Sequence, residues 1–243
     1  ELLVVDNNPG GVCSQALKDL ERLSIDYRYV PFSGRTGTMV REVIVEEARS
    51  ESILILDCHV MMWPGGLQKL RDYMARNPGS RDLLQGPLLH DDLKTLSSHF
   101  RPEWRGGMYG VWDCDERALD VDGPPFEIPM QGLGLYAFQR KSWPGTNPSF
   151  SGFAVEEWYL HEKVRRNGGR TLCLPFLRWV HRFARPRGIP YPNNWHDRIR
   201  NYIIAFRELG EPTDQIENHF RDLLGREQAD RSISAALHEM TNY

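Results

Sequence analysis

An unbroken apolar run, Ser52 to Leu56 (SILIL), stops at Asp57 and is followed two residues later by His59. A short run without polar alternation is the pattern of a strand buried on both faces, as in a parallel α/β sheet. Such a strand delivers its next residues to the carboxyl edge of the sheet, where open α/β sheets bind ligands. With Cys58 between them, Asp57 and His59 point the same way along an extended segment. A carboxylate oxygen and an imidazole nitrogen converging there suit a borderline divalent ion such as Mn2+. Read without a metal, Asp57 caps a turn and His59 packs locally.

The 243 residues, 40% of them hydrophobic, are enough for one large domain with a proper core. A net charge of -3 gives no general electrostatic footprint for nucleic acid or an anionic membrane, which argues against a nonspecific DNA binder. No apolar run approaches the roughly 20 residues that span a bilayer. Cys13, Cys58, Cys114 and Cys173 are scattered without paired spacing, so no zinc knuckle or disulfide framework is indicated and a reducing, cytoplasmic compartment is expected. The chain opens directly inside an apolar strand, ELLVVD. A buried parallel strand normally follows other secondary structure, so a strand and helix are expected upstream.

Strand and helix alternate along the first third of the chain. Glu1 to Val5 reads as a strand, Cys13 to Leu23 as a helix, Ile25 to Val30 as a strand, Thr38 to Arg49 as a helix, and a further helix follows Pro64 to about Asn77. This rhythm predicts a doubly wound, mostly parallel sheet flanked by helices. Weaker strands are expected near Leu83 to Pro87 and Gly106 to Asp113. Gln131 to Gln139 (QGLGLYAFQ) reads as a buried strand whose glycines allow close approach. Glu156 to Asn167 is an amphipathic helix capped by Gly168-Gly169, and Leu172 to Val180 is a strand ending at His181. After the loop ARPRGIPYPNN, a helical tail runs from Trp195 to the end, so residues 1–194 form the α/β domain and 195–243 a helical extension packed on it.

Taken in order, these segments resemble the nucleotide-sugar glycosyltransferases of the GT-A fold, a Rossmann-like architecture. ELLVVDN is similar to the family's second strand, whose aspartate, here Asp6, contacts the uracil. RTGTMVREVIVEEARSESILILDCHV resembles the segment of family 2 enzymes that leads into their acid motif. That motif is usually Asp-x-Asp, whereas Asp-x-His is the form found in the polypeptide N-acetylgalactosaminyltransferases. QGLGLYAFQRKSW resembles the glycine-rich donor strand of that second family, FSGFAVEEWYLHEKVRRNGG its acidic helix, and RWVHRF the strand-end histidine of its metal site. The resemblance covers residues 1 to 185. Two departures stand out: the paired glycines before the acidic helix are Ala154-Val155 here, and no lectin domain follows.

The resemblance implies a UDP-sugar donor and a Mn2+ or Mg2+ ion held by Asp57, His59 and His181. A divalent ion bridging both phosphates stabilises the charge that grows on the leaving diphosphate. Arg35, Gly37 and Arg41 lie beside the nucleotide edge, where Gly37 lets backbone approach the ligand and Arg41 neutralises phosphate or pins Asp6; as a bland alternative both arginines are solvated. Gly132 and Gly134 make room for the donor sugar or mark a bulge. Glu156 and Glu157 favour a helix start through the dipole. Their functional reading differs by family: in inverting enzymes the second acid, Glu157, is the general base, while in the retaining family the prominent glutamate falls at Glu156 as a positioning group. Retention is slightly favoured by the Asp-x-His and the later histidine. Arg182, Arg185 and Arg187, with Tyr191 and Trp195, form a lid over the diphosphate or a mobile surface segment. Trp104, Trp112, Trp143 and Trp158 are platform candidates or core.

The leading expectation is therefore metal-dependent transfer of a sugar from a UDP-sugar to an acceptor hydroxyl. The alternatives are a nucleotidyltransferase or pyrophosphorylase, whose Gly-rich basic loop after the first strand is not seen, and a noncatalytic nucleotide-sugar-binding module. Peptide, glycan, lipid head group and modified nucleobase all remain open as acceptors. The basic stretch from Arg178 to Arg200 keeps a nucleic-acid acceptor conceivable.

Overall fold

The computed structural model describes residues 1–34, 37–184, 188 and 193–241. The chain begins with β1 (Leu2–Asp6), α1 (Ser14–Asp19) and β2 (Tyr27–Pro31), and a 3-10 turn at Gly37–Val40 leads into α2 (Arg41–Glu47). β3 (Ser52–Leu56), β4 (Val60–Met62), α3 (Gly66–Arg76), β5 (Leu83–Gln85) and β6 (Leu88–Leu89) follow. Then come β7 (Leu96–Ser97), the hairpin β8 (His99–Arg105) and β9 (Met108–Asp113), β10 (Phe126–Glu127) and β11 (Leu135–Gln139). The acidic helix is α4 (Glu156–Arg166), followed by β12 (Thr171–Cys173) and β13 (Trp179–His181). Three helices close the chain: α5 (Trp195–Glu208), α6 (Asp214–Leu224) and α7 (Arg226–Thr241).

The architecture is the expected α/β one, with mixed strand pairing. β1 and β2 pair in parallel. The central sheet has the order β10-β12-β5-β11-β3; β12 and β5 are parallel, but β11 runs antiparallel to both β5 and β3. A second sheet, β4-β13-β6-β7, continues from it. Leu172 to Val180 is not one strand. The turn closed by the Leu177 N–H on the Leu174 carbonyl at 2.9 Å splits it into β12 and β13, and Pro175 within it has no N–H for a ladder. Gly86 permits the split: a Cβ there would lie 1.8 Å from the Leu177 carbonyl oxygen.

β11 shows why the sheet is buried on both sides. Leu135 and Ala137 join one apolar cluster with Leu70 and Met74 of α3. Tyr136 and Phe138, on the other face, join a second cluster with Tyr159 of α4, Tyr202 and Phe206 of α5, Phe220 of α6 and Ile233 of α7. The C-terminal helices thus share a core with β3 and β11. β3 departs from the expectation of burial on both faces: Ile53 and Ile55 are buried, Leu54 is half-buried, and Leu56 is exposed, because β3 is the end strand of the described central sheet. No helix of the described residues is long and apolar enough to cross a membrane.

Candidate active site

The turn after β3 is fixed from two sides. Asp57 N–H donates to the Gly134 carbonyl at 3.0 Å, and Val60 N–H donates to the Asp57 carbonyl at 3.1 Å. β4 then pairs antiparallel with β13, Val60 opposite His181. This short pairing places two histidines, 122 residues apart in sequence, with their Nε2 atoms 2.9 Å apart and their rings edge to face at 88°. Asp57 Oδ2 lies 3.5 Å from His59 Nε2. One ligand atom from each of Asp57, His59 and His181 lies within 4.8 Å of the others. Two nitrogens bound at right angles to one ion at about 2.1 Å sit about 3 Å apart, so the histidines are spaced as neighbouring ligands. One carboxylate and two imidazoles fit a borderline divalent ion and leave positions for other ligands. All three residues are half-buried, within reach of solvent-borne ligands.

Behind this set lies a buried charge network. Arg41, near-fully buried, forms an ion pair with Asp57 at 3.5 Å and a longer one with Glu156 at 3.9 Å, and donates to the Leu133 carbonyl at 3.3 Å. Burial opposes its charge, but Asp57, Tyr136, Glu156 and Glu157 outweigh it and raise its pKa. Arg41 therefore does not pin Asp6, as one sequence reading had it. Asp6 is held instead by Tyr29 Oη at 2.6 Å, Ser14 Oγ at 3.1 Å and the Asn8 N–H at 2.9 Å, all donating to its carboxylate.

Glu156 and Glu157 open α4, and both are buried. The Glu156 carboxylate accepts the Ala154 N–H at 2.9 Å and a hydrogen bond from Thr38 Oγ1. Burial, and then the neighbouring Glu157 charge, push Glu156 above the ordinary carboxylate range; burial pushes Glu157 the same way. The turn before the helix is strained, with Ala154 at φ 112° and Val155 at φ 77°, a region that glycine occupies freely and a β-branched residue rarely does. The Ala154-Val155 departure seen in the sequence therefore keeps the glycine-like backbone while burying both side chains.

Gly37 links this turn to the loop after β1. It sits at φ 75°, where a Cβ would lie 2.2 Å from the Gly152 carbonyl oxygen, and its own carbonyl accepts from Asn7 Nδ2 at 3.2 Å. The space beside Gly132 is occupied by Trp112, and that beside Gly134 by Trp179 and His181. Both glycines thus accommodate aromatic rings of the protein. Arg182 follows His181 directly, its N–H donating to the His59 carbonyl at 3.2 Å. Arg35, Arg185, Arg187 and Tyr191 lie outside the described residues. Of the platform tryptophans, Trp104 packs on Tyr202 and His219, Trp143 on Phe138 and Trp158 on Phe206, while Trp112 reaches His90 near the histidine pair.

Three residues were not singled out in the sequence. Thr38 became visible only through the approach of the Gly152 loop. His161 is buried in α4, where burial pushes its pKa down to about 3; its Nε2 accepts the Gln131 N–H at 3.1 Å and its Nδ1 lies against the Glu157 carbonyl. Arg198 of α5 is buried beside the same helix start. Each depends on a contact distant in sequence, and no local motif marks it.

The same chain path is found in solved structures. GalNAc-T7 with UDP, GalNAc and Mn2+ superposes with a TM-score of 0.64 at 15% identity, over 85% of this chain and 41% of that one. S. aureus TarS 1–349 does so with a TM-score of 0.52 at 12% identity, over 93% of this chain and 61% of that one. The fold is GT-A. The chain spans less than two thirds of the length of either neighbour. No protein-family model matches the sequence, and no curated protein does.

Proposed function

We propose that this protein is a metal-dependent glycosyltransferase that moves a sugar from a UDP-sugar to an acceptor hydroxyl. The observation that carries the reading is the convergence of Asp57, His59 and His181 at the ligand-binding edge of a GT-A fold. The UDP and Mn2+ in the GalNAc-T7 structure support the same donor class and metal. When bound, Mn2+ or Mg2+ takes up negative charge growing on the leaving diphosphate. Arg41 pairs with Asp57 and holds it aimed at that position, and its link to Glu156 ties the donor side to α4. Asp6 recognises the uracil, and Arg182 borders the diphosphate. Under retention Glu156 positions the acceptor or the sugar, and under inversion Glu157 serves as the general base. Retention of configuration is the favoured outcome, resting on the Asp-x-His and strand-end histidine.

The test is incubation with a panel of UDP-sugars and Mn2+, following UDP release and the anomeric proton by NMR. UDP release that requires the metal and disappears in His181→Ala supports the reading. Nucleotide binding without turnover, across donors and acceptors, replaces it with a noncatalytic binding module.

A further inference from the structure

The edge of the central sheet that faces away from Asp57 opens onto a basic depression. β5 starts directly after Arg81 and Asp82, β12 starts after Arg170, and β11 ends two residues before Lys141. At the other end of β11 the Gly134 carbonyl meets the Asp57 N–H. The five residues of β11, about 17 Å of strand, therefore separate the depression from the metal residues. The turns before β5 and β12 lie against each other here, since a Cβ on Gly169 would stand 2.2 Å from the Arg81 carbonyl oxygen. Two lobes meet at Gly79 and Arg81. One, of about 520 Å³, is lined by Arg76, Arg81 and Arg170, and the other, of about 660 Å³, by Arg81, Lys141 and Arg166.

Five cations thus surround one lining carboxylate, Asp82, and that carboxylate is already engaged. Arg170 holds it through its N–H at 2.9 Å and its Nη2 at 2.7 Å. Arg166 pairs with Glu211 at 2.6 Å. The Arg81 guanidinium, by contrast, donates only to the neutral Asn167 carbonyl at 3.2 Å, and among the described residues the side chains of Arg76 and Lys141 have no hydrogen bond or ion pair. Cations in the last turn of a helix can serve its dipole, which would account for Arg76 on α3 and Arg166 on α4. The carbonyls there are occupied without them: Tyr73 accepts from Asn77 Nδ2 at 2.8 Å, and Arg165 and Val164 accept the N–H groups of Gly168 and Gly169 at 2.9 and 3.0 Å. Nor does a dipole explain Lys141 and Arg170, which flank strands.

In a chain whose net charge is -3, a concave surface lined this way focuses a local positive field and concentrates anions. Arginine forks match phosphate oxygens in pairs. Unpartnered cations in both lobes, joined through Arg81, suit a ligand with more than one phosphate, and the concavity suits a compact molecule better than a flat membrane or a straight duplex. We propose that this depression is a second binding site, separate from the metal residues, for a compact oligophosphate that places one phosphate in each lobe, held by Arg81 between Arg76 and Lys141. The site does not depend on the glycosyl-transfer reading.

The test is calorimetric titration of inorganic tripolyphosphate, without divalent metal, into wild type, Arg81→Gln and the Arg76→Gln/Lys141→Gln double variant. Because Arg76 and Lys141 have no partner to lose, the double variant melts as the wild type does in the absence of ligand. Wild type binds tripolyphosphate more tightly than inorganic phosphate. Both variants lose about 10-fold or more in affinity, the loss of at least one charge-assisted hydrogen bond, and His181→Ala loses none. No binding to wild type, equal affinity in the variants, or dependence on His181 overturns the site. Phosphate binding as tightly as tripolyphosphate overturns its two-lobed use. An oligonucleotide or phosphatidylglycerol vesicles displacing tripolyphosphate through Arg81 at lower phosphate concentration would overturn the compact ligand in favour of a polymer or a membrane.

Discussion

Replacing Gly134 by alanine should damage the metal site from behind. A Cβ at position 134 would lie 2.9 and 3.1 Å from two atoms of the Trp179 ring and 3.2 Å from His181 Cδ2. Carbon atoms pack best at about 3.5–4.0 Å, so one of the rings must give by about 0.5 Å. Trp179 is the worse placed to yield: it is fully buried, and its Nε1–H donates to the Gly86 carbonyl at 2.7 Å. His181, half-buried at the end of β13, takes the displacement. Overpacking of this kind costs about 1–3 kcal/mol, or about 3–10 °C in Tm for a chain of this length. Ligand positions tolerate only about 0.2 Å, so Mn2+ affinity in the presence of UDP should fall about 10- to 100-fold, comparable to losing an outer-shell partner. Melting without metal and calorimetric titration of Mn2+ read the two effects separately. Wild-type Mn2+ affinity in Gly134→Ala would refute the placement of His181 against this glycine.

Gly37→Ala combines a left-handed backbone with a contact on the Gly152 carbonyl, and neither atom is a flexible side-chain end. It should cost more than the about 1–2 kcal/mol of the backbone term alone, read as a lower Tm, and weaken UDP binding; an unchanged melting curve would show that the two loops do not meet. Glu156 holds its proton more tightly in the folded chain than in the unfolded one, because burial raises its pKa. Its contribution to stability is therefore complete below the unfolded carboxylate pKa and is lost as pH rises through the raised value. In Glu156→Gln that loss is absent, so the Tm of the variant relative to wild type should climb between about pH 5 and about pH 8.5. A difference that stays constant across that range would mean Glu156 is not held in this environment.

Much of this was legible locally. The apolar run of β3 ending at Asp57, the acidic start and double-glycine end of α4, and the histidine closing β13 are all short-range patterns, whereas the expected strand Leu172 to Val180 is split into β12 and β13. What escaped the sequence was set by contacts far along the chain. The β4–β13 pairing involves three residues on each side, too few for a periodicity, yet it is what joins His59 to His181. Arg41 read equally well as a partner for phosphate, for Asp6 or for solvent, and only the fold shows it between Asp57 and Glu156. Arg198 lay in a basic stretch that kept a nucleic-acid acceptor conceivable, while the structure buries it against Phe153 and the β8–β9 turn. The reading of Arg35 and of the loop arginines Arg185 and Arg187 concerns positions outside the described residues.

The most direct test of the central claim is calorimetric titration of UDP with and without Mn2+, on the wild type and on His59→Ala. Asp57, His59 and His181 as a shared cation site predict UDP binding that requires Mn2+ in the wild type and is lost or strongly weakened in the variant. Binding that ignores both the metal and His59 would contradict it.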